Sequence, residues 1–222
     1  MEIKKIYSAN GELTVPGDKS VSHRAVMLGA LAKGTSRIRG FLRGADCLST
    51  IDCFRNLGIS ISAENDEITV TGKGLHGLSP YGGTLYTGNS GTTTRLLCGI
   101  LAGQPFNSHI TGDASICKRP MKRVTDPLSL MGAKINEIYC PLEITGTELH
   151  GIDYKMQVAS AQVKTALILA GLYADGRTAI HEKEQSRNHT ELMLGAMGAD
   201  IVSDGINITV TPGKELEAID ID

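Results

Sequence analysis

The chain repeats itself three times at an interval of about 70 residues, and this constrains its fold more than any other feature. Serines at 20, 90 and 160 each open a helical run. The runs end in Leu31-Ala32-Lys33-Gly34, Leu101-Ala102-Gly103 and Leu169-Ala170-Gly171-Leu172. A second run follows each and closes in a related phrase: Asn56-Leu57-Gly58-Ile59, Leu130-Met131-Gly132-Ala133 and Ala196-Met197-Gly198-Ala199. A closing strand comes next: Ile68-Thr69-Val70-Thr71-Gly72, Leu142-Glu143-Ile144-Thr145-Gly146 and Ile208-Thr209-Val210-Thr211. Each unit reads strand–helix–strand–helix–strand–strand, and a fixed period of this kind marks an architecture made from one supersecondary unit. The repeats run over about 15–78, 79–151 and 152–214.

The first helix of each unit differs from the second. Arg95-Leu96-Leu97-Cys98-Gly99-Ile100-Leu101-Ala102 and Ala166-Leu167-Ile168-Leu169-Ala170-Gly171-Leu172 are apolar nearly all round, and a helix apolar on every face is buried on every face. Strands such as Arg37-Ile38-Arg39-Gly40-Phe41 and Thr178-Ala179-Ile180-His181 suggest sheets with one solvated face. The expectation is an inside-out α/β domain: three central helices, sheets outside, and approximate threefold symmetry.

Such a domain brings its chemistry to one end. In Val15-Pro16-Gly17-Asp18-Lys19-Ser20-Val21-Ser22-His23-Arg24-Ala25 a tight turn leads into a helix whose start carries Lys19 and Arg24. A helix N-terminus offers unpaired N–H groups and a partial positive charge. Alone, this stretch reads equally as an anion site or as a capped helix with solvated basic side chains. If the three central helices run parallel, however, Lys19, Ser20 and Arg24 meet Asn89 to Thr92 and Ser160 to Lys164. The loops before the second helices add Arg43, Arg119 and Arg187. Three helix N-termini with several basic side chains make a site for phosphate and carboxylate groups.

Composition narrows the class of ligand. The net charge of −2 provides no global basic field, and aromatics are only 4% with no Trp. Neither nucleic acid nor a membrane surface is expected as a partner. The odd count of five cysteines, none spaced as CxxC, argues against a disulfide framework or a zinc site and fits a reducing cytosol. Met1-Glu2-Ile3-Lys4-Lys5-Ile6 has no apolar core of a signal peptide, and no apolar run approaches the roughly 18 residues of a membrane span. A cytoplasmic location is the expectation.

The motifs VPGDKSVSHRA (15–25), GNSGTTTRLL (88–97), KRPMKRV (118–124), ASAQVKTALILAGL (159–172) and SRNHTE (186–191) resemble the enolpyruvyl transferases. Within them the likeness is to the 5-enolpyruvylshikimate-3-phosphate synthases, and it covers the whole chain. The resemblance implies transfer of the enolpyruvyl group of phosphoenolpyruvate to the 5-hydroxyl of shikimate 3-phosphate. The reaction passes through a tetrahedral intermediate that eliminates phosphate, with no metal or organic cofactor. By motif match, Lys19 touches both substrates and is the catalytic candidate. Ser20, Arg24, Ser160, Ala161, Gln162 and Arg187 fall to shikimate 3-phosphate. Asn89, Gly91, Thr92 and Arg119, with Lys19 and Gln162, fall to phosphoenolpyruvate. Gly91 is also where the inhibitor glyphosate sits in such a pocket. Dense positive charge suits the charge shifts of addition and phosphate loss, and holding two anions together gives the proximity advantage.

The same resemblance implies a chain about twice this long, with a second domain and the active site in the cleft between the two. Residues 1–14 are then a strand of that other domain, 215–222 a crossover segment, and the missing C-terminal domain a partner. The implied acid and base carboxylates lie in the missing half, so this chain alone is expected to bind substrate with little or no turnover. Two rivals stand beside this: an anion-binding module without turnover, and the sister transferase acting on UDP-N-acetylglucosamine. Against the second, this chain has Lys19-Ser20 where the sister enzyme has Lys-Asn, and the spacing of Cys117 to Arg119-Pro120 is shorter. Cys117 is read as a bystander, His23 as a support for the first loop, and Asp46 and Asp113 as loop or capping residues. Lys122, Arg123 and Lys164 are either field-setting or solvated. Gly-Asn-Ser-Gly-Thr lacks the Gly-Lys-Ser/Thr ending of a nucleotide-binding loop.

Overall fold

The structure, a computed structural model, describes residues 8, 10–13, 15–64 and 66–222. Most of the predicted N-terminal strand lies outside the described residues; residues 8 and 10–13 are exposed and without regular secondary structure.

The first third of the chain forms α1 (Lys19–Leu31), β1 (Lys33–Ile38), α2 (Ala45–Asn56), β2 (Ser60–Glu64) and β3 (Glu67–Lys73). The second forms β4 (Thr84–Tyr86), α3 (Gly91–Ala102), β5 (Ser108–Thr111), a 3₁₀ turn at Ile116–Lys118, α4 (Lys122–Leu130), β6 (Lys134–Ile135), β7 (Leu142–Thr145) and β8 (Leu149–His150). The last forms β9 (Asp153–Lys155), α5 (Ala161–Gly171), β10 (Ala174–Asp175), β11 (Thr178–His181), α6 (His189–Ala196), β12 (Asp200–Ser203) and β13 (Asn207–Thr211).

The sheets carry the repeat. The second is ordered β4-β5-β7-β6 and the third β9-β11-β13-β12. In both, the first strand pairs parallel to its neighbour and the other pairings are antiparallel. The first sheet has only β1-β3-β2, and residues 15–18 form no strand. The chain's last residues take the vacant position. Lys33 bridges Glu217 and Ile38 bridges Ile221, both in parallel. The Lys33 N–H donates to Leu216 O at 2.7 Å, and the Ala218 N–H donates to Lys33 O at 3.0 Å. The segment read as a crossover is thus the fourth strand position of the first sheet, with Leu216 fully buried.

The repeated phrases have a physical cause. Gly58, Gly132 and Gly198 follow α2, α4 and α6 with φ of 85°, 95° and 88°, a left-handed conformation that favours glycine. The next residue then reaches back: Ile59 N–H to Phe54 O, Ala133 N–H to Leu128 O, and Ala199 N–H to Leu194 O. This six-residue closure satisfies helix-end carbonyls, and it turns each chain into its next strand.

α1, α3 and α5 occupy the centre. Residues 22–31, 96–102 and 163–171 are buried without a break. Gly99 makes the closest crossing, since a Cβ there would meet the Ala166 carbonyl of α5, 2.9 Å from its carbon. Thr92 meets Gln162 at the start of the same pair, and Gly103 faces Tyr173 at its end. The two helices therefore run parallel and in register, which brings their N-termini to one end.

Candidate anion-binding site

α1, α3 and α5 begin with side-chain caps. Asp18, Ser90 and Ser160 accept the N–H of Val21, Thr93 and Val163, satisfying donors that a helix start leaves open. Ser20, which aligns with Ser90 and Ser160 in the sequence, lies one residue inside α1 instead, because Asp18 takes the cap.

Polar contacts between the three units cluster in these first turns. Between the first and second, His23 Nδ1 lies 2.7 Å from Thr50 Oγ1, which lies 2.7 Å from Thr93 Oγ1. Between the second and third, Gln162 donates to Thr92 Oγ1 at 3.0 Å and accepts from Arg95 Nη1 at 3.0 Å. Between the third and first, Arg24 donates to Thr190 Oγ1 at 2.6 Å and to Thr165 Oγ1 at 2.8 Å. Arg187 donates to Ser20 Oγ at 2.9 Å across the same boundary. The residues predicted from three distant stretches are thus brought together.

Their surroundings differ. Lys19, Arg119 and Arg187 are exposed, and Ser160, Ala161, Gln162 and Thr92 are half-buried. Lys19 is ion-paired with Asp46. Asp46, read as a loop or capping residue, stands in the first turn of α2, where a carboxylate also meets the positive helix end. Arg119 donates to Asn89 Oδ1 at 2.6 Å and to Ser115 Oγ at 3.2 Å. Asp113 accepts the N–H groups of Ser115 and Ile116, both at 2.9 Å, and so shapes the Arg119 loop. Gly91 opens α3, and a Cβ there would lie 2.6 Å from Arg95 Nη1 and 3.6 Å from Arg119 Nη1.

Arg24 is only 3% exposed, and its remaining contact is with Ser20 O at 3.0 Å. Its bonds all go to neutral oxygens, so it supplies field and order rather than an open contact. Burial lowers its pKa while the Glu191 charge opposes that shift, and an arginine stays charged throughout. His23 is fully buried. Burial, then the charge of Lys19, push its pKa down to about 4, so the imidazole stands neutral under the cationic cluster.

Three basic residues depart from expectation. Arg43 reaches Asp66 at 3.9 Å, in the turn between β2 and β3, rather than the cluster. Lys164 is neither solvated nor open to the site: it is fully buried, 2.7 Å from both Glu182 and Glu191. Arg95 joins the site although sequence reasoning gave it no role. The signal was present, since an arginine in an otherwise apolar helix needs a polar partner.

Three helix starts ringed by lysine and arginine in an α/β domain have the geometry of a candidate anion-binding site. The profile of the family described as EPSP synthase (3-phosphoshikimate 1-carboxyvinyltransferase) matches residues 3–222. A 3-phosphoshikimate 1-carboxyvinyltransferase of Bacillus velezensis is 52% identical over 225 residues, covering 100% of this chain and 53% of its own. One from Bacillus thuringiensis subsp. konkukian is 54% identical over 216 residues, covering 96% and 50%. The solved structure of EPSP synthase from Acinetobacter baumannii superposes with a TM-score of 0.91 at 49% identity, covering 95% of this chain and 49% of that one. The chain belongs to the EPSP synthase family and has its α/β fold, and it spans about half the length of the curated relatives it matches. Both Bacillus relatives carry the name 3-phosphoshikimate 1-carboxyvinyltransferase, not that of a UDP-sugar transferase. Among the described residues no helix is long and apolar enough to cross a membrane.

Proposed function

We propose that this chain is the half of a 3-phosphoshikimate 1-carboxyvinyltransferase that holds shikimate 3-phosphate and the phosphate end of phosphoenolpyruvate. The observation that carries the reading is the joining of Ser20 and Arg187 across the boundary between first and third units. Arg187 and the Ser160 hydroxyl take the shikimate phosphate. Ser160 accepts Val163 N–H, which leaves its own proton free to donate. The Ala161 N–H, in the first turn of α5, adds a backbone donor. Arg119 and Lys19 flank the phosphoenolpyruvate phosphate, and Gln162, tied to Thr92 and Arg95, stands between the two subsites.

In the reaction, the 5-hydroxyl gives up its proton as its oxygen adds to C2 of phosphoenolpyruvate, while C3 gains a proton and becomes a methyl group. The tetrahedral adduct then loses a proton from C3, re-forming the double bond, and expels phosphate. This half contributes binding, alignment and positive charge toward the departing phosphate. The groups that move protons belong to the complementary domain, and both the domain division and the cytoplasmic location are part of this reading. The test is phosphate release from shikimate 3-phosphate and phosphoenolpyruvate. The chain alone is expected to give little; mixed with the C-terminal half of the Bacillus velezensis relative, it is expected to give steady turnover. Saturable binding without turnover in the mixture would favour an anion-binding module instead.

A further inference from the structure

Among the described residues Lys164 is the largest fully buried charged side chain, and the proposed reaction leaves it without a task. It stands on α5 one turn beyond the Ser160 cap, fully buried. Its Nζ is 2.7 Å from Glu182 Oε2 and 2.7 Å from Glu191 Oε1. Glu182 directly follows β11 and Glu191 lies in the first turn of α6. The one ammonium thus ties together both ends of the 182–191 connection. Lys164 also points at the backbone between them, 3.5 Å from Ser186 O, and Glu182 Oε2 accepts the Ser186 N–H at 3.4 Å. The next residue is Arg187, whose guanidinium crosses to Ser20.

Charge explains why the arrangement holds together and why it is sensitive. Lys164 with two carboxylates leaves one net negative charge in the interior. The neighbouring buried cation is Arg24, whose own hydrogen bonds reach only neutral oxygens; burial lowers its pKa, and the Glu191 charge opposes that shift. The four buried charges sum to zero only together, and a buried charge left without its partner is costly. Among the described residues Glu182 Oε1 and both Glu191 carboxylate oxygens have no hydrogen-bond partner, and Lys164 is the one cation within ion-pair distance of either carboxylate.

We propose that Lys164, through Glu182 and Glu191, is a positioning residue that sets the 182–187 turn so that Arg187 faces the Ser20 side of the site. The inference rests on the binding role proposed above for Arg187, and its test separates the two. In the purified chain, Lys164→Met is expected to weaken shikimate 3-phosphate binding at least tenfold by calorimetry. Arg187→Ala is expected to do the same, and the double variant to bind no more weakly than either single one. A lysine that served only general stability would give multiplied losses, and that result overturns the proposal. Hydrogen exchange supplies an arm that needs no ligand. Lys164→Met is expected to speed exchange at residues 185–188 while β13 keeps its protection. Unchanged exchange at 185–188 overturns the proposal even if the wild-type chain binds no shikimate 3-phosphate, an outcome that would count against the binding role alone. Should Lys164→Met fail to fold, Glu182→Ala takes its place in both arms with the same expected and contradicting results.

Discussion

His23 lies one turn from Lys19, yet burial leaves its imidazole neutral, with a pKa near 4. The unfolded chain binds a proton there near 6.5, so between those values the unfolded state carries more protons. Stability therefore falls as pH drops from about 6.5 to 4, by up to roughly 3 kcal/mol in full. Urea unfolding at pH 7 and pH 4.5 checks this; His23→Gln is expected to flatten the difference. Gly91 makes a separate test. A methyl group there would press on Arg95 Nη1, the mobile end of a side chain, so Gly91→Ala should cost under about 1 kcal/mol of stability. The displaced guanidinium would disturb Gln162 and Arg119 together. Phosphoenolpyruvate binding in the presence of shikimate 3-phosphate should therefore weaken severalfold, as read by calorimetry. Lys19, Arg119 and Arg187 were legible as site candidates because the repeat gathers their stretches at one end; charge beside a single helix start reads equally well as solvated surface. Lys164 was not, because a lysine's pairing with two distant glutamates leaves no trace in local sequence.

The three central helices were legible as elements, since apolar residues on all faces require burial on all faces. What the pattern hid was how closely they cross. Gly29 and Gly99 both lie inside central helices and look alike in the sequence. A Cβ on Gly29 would make ordinary contact, 3.4 Å from Val70 Cβ, whereas one on Gly99 would run into the Ala166 backbone. Gly29→Ala is expected to be neutral or to stabilise by up to about 1 kcal/mol through helix propensity. Gly99→Ala is expected to cost about 1–3 kcal/mol or more, because α3 and α5 must move apart. Thermal unfolding of the two variants side by side decides this. The element hardest to read in the sequence is the fourth strand position of the first sheet. Residues 216–221 fill it beside β1, and pairing between chain segments so far apart is not written in local periodicity.

That pairing has a consequence for the whole molecule, because it joins the last residues to the first sheet and completes the set of three similar sheets. Leu216 is fully buried there, so Leu216→Ala should destabilise the fold by roughly 2–5 kcal/mol, measurable by urea unfolding. The threefold plan itself was legible from the period of the serines and of the helix-ending phrases, and it placed the site at the aligned helix starts. The central claim is that this domain, on its own, carries the half-site for shikimate 3-phosphate. Calorimetric titration of the purified chain with shikimate 3-phosphate, with Arg187→Ala as control, tests it most directly. Saturable binding that weakens at least tenfold in the variant is the predicted result. A folded chain that binds no shikimate 3-phosphate, or one whose binding ignores Arg187, would contradict the account.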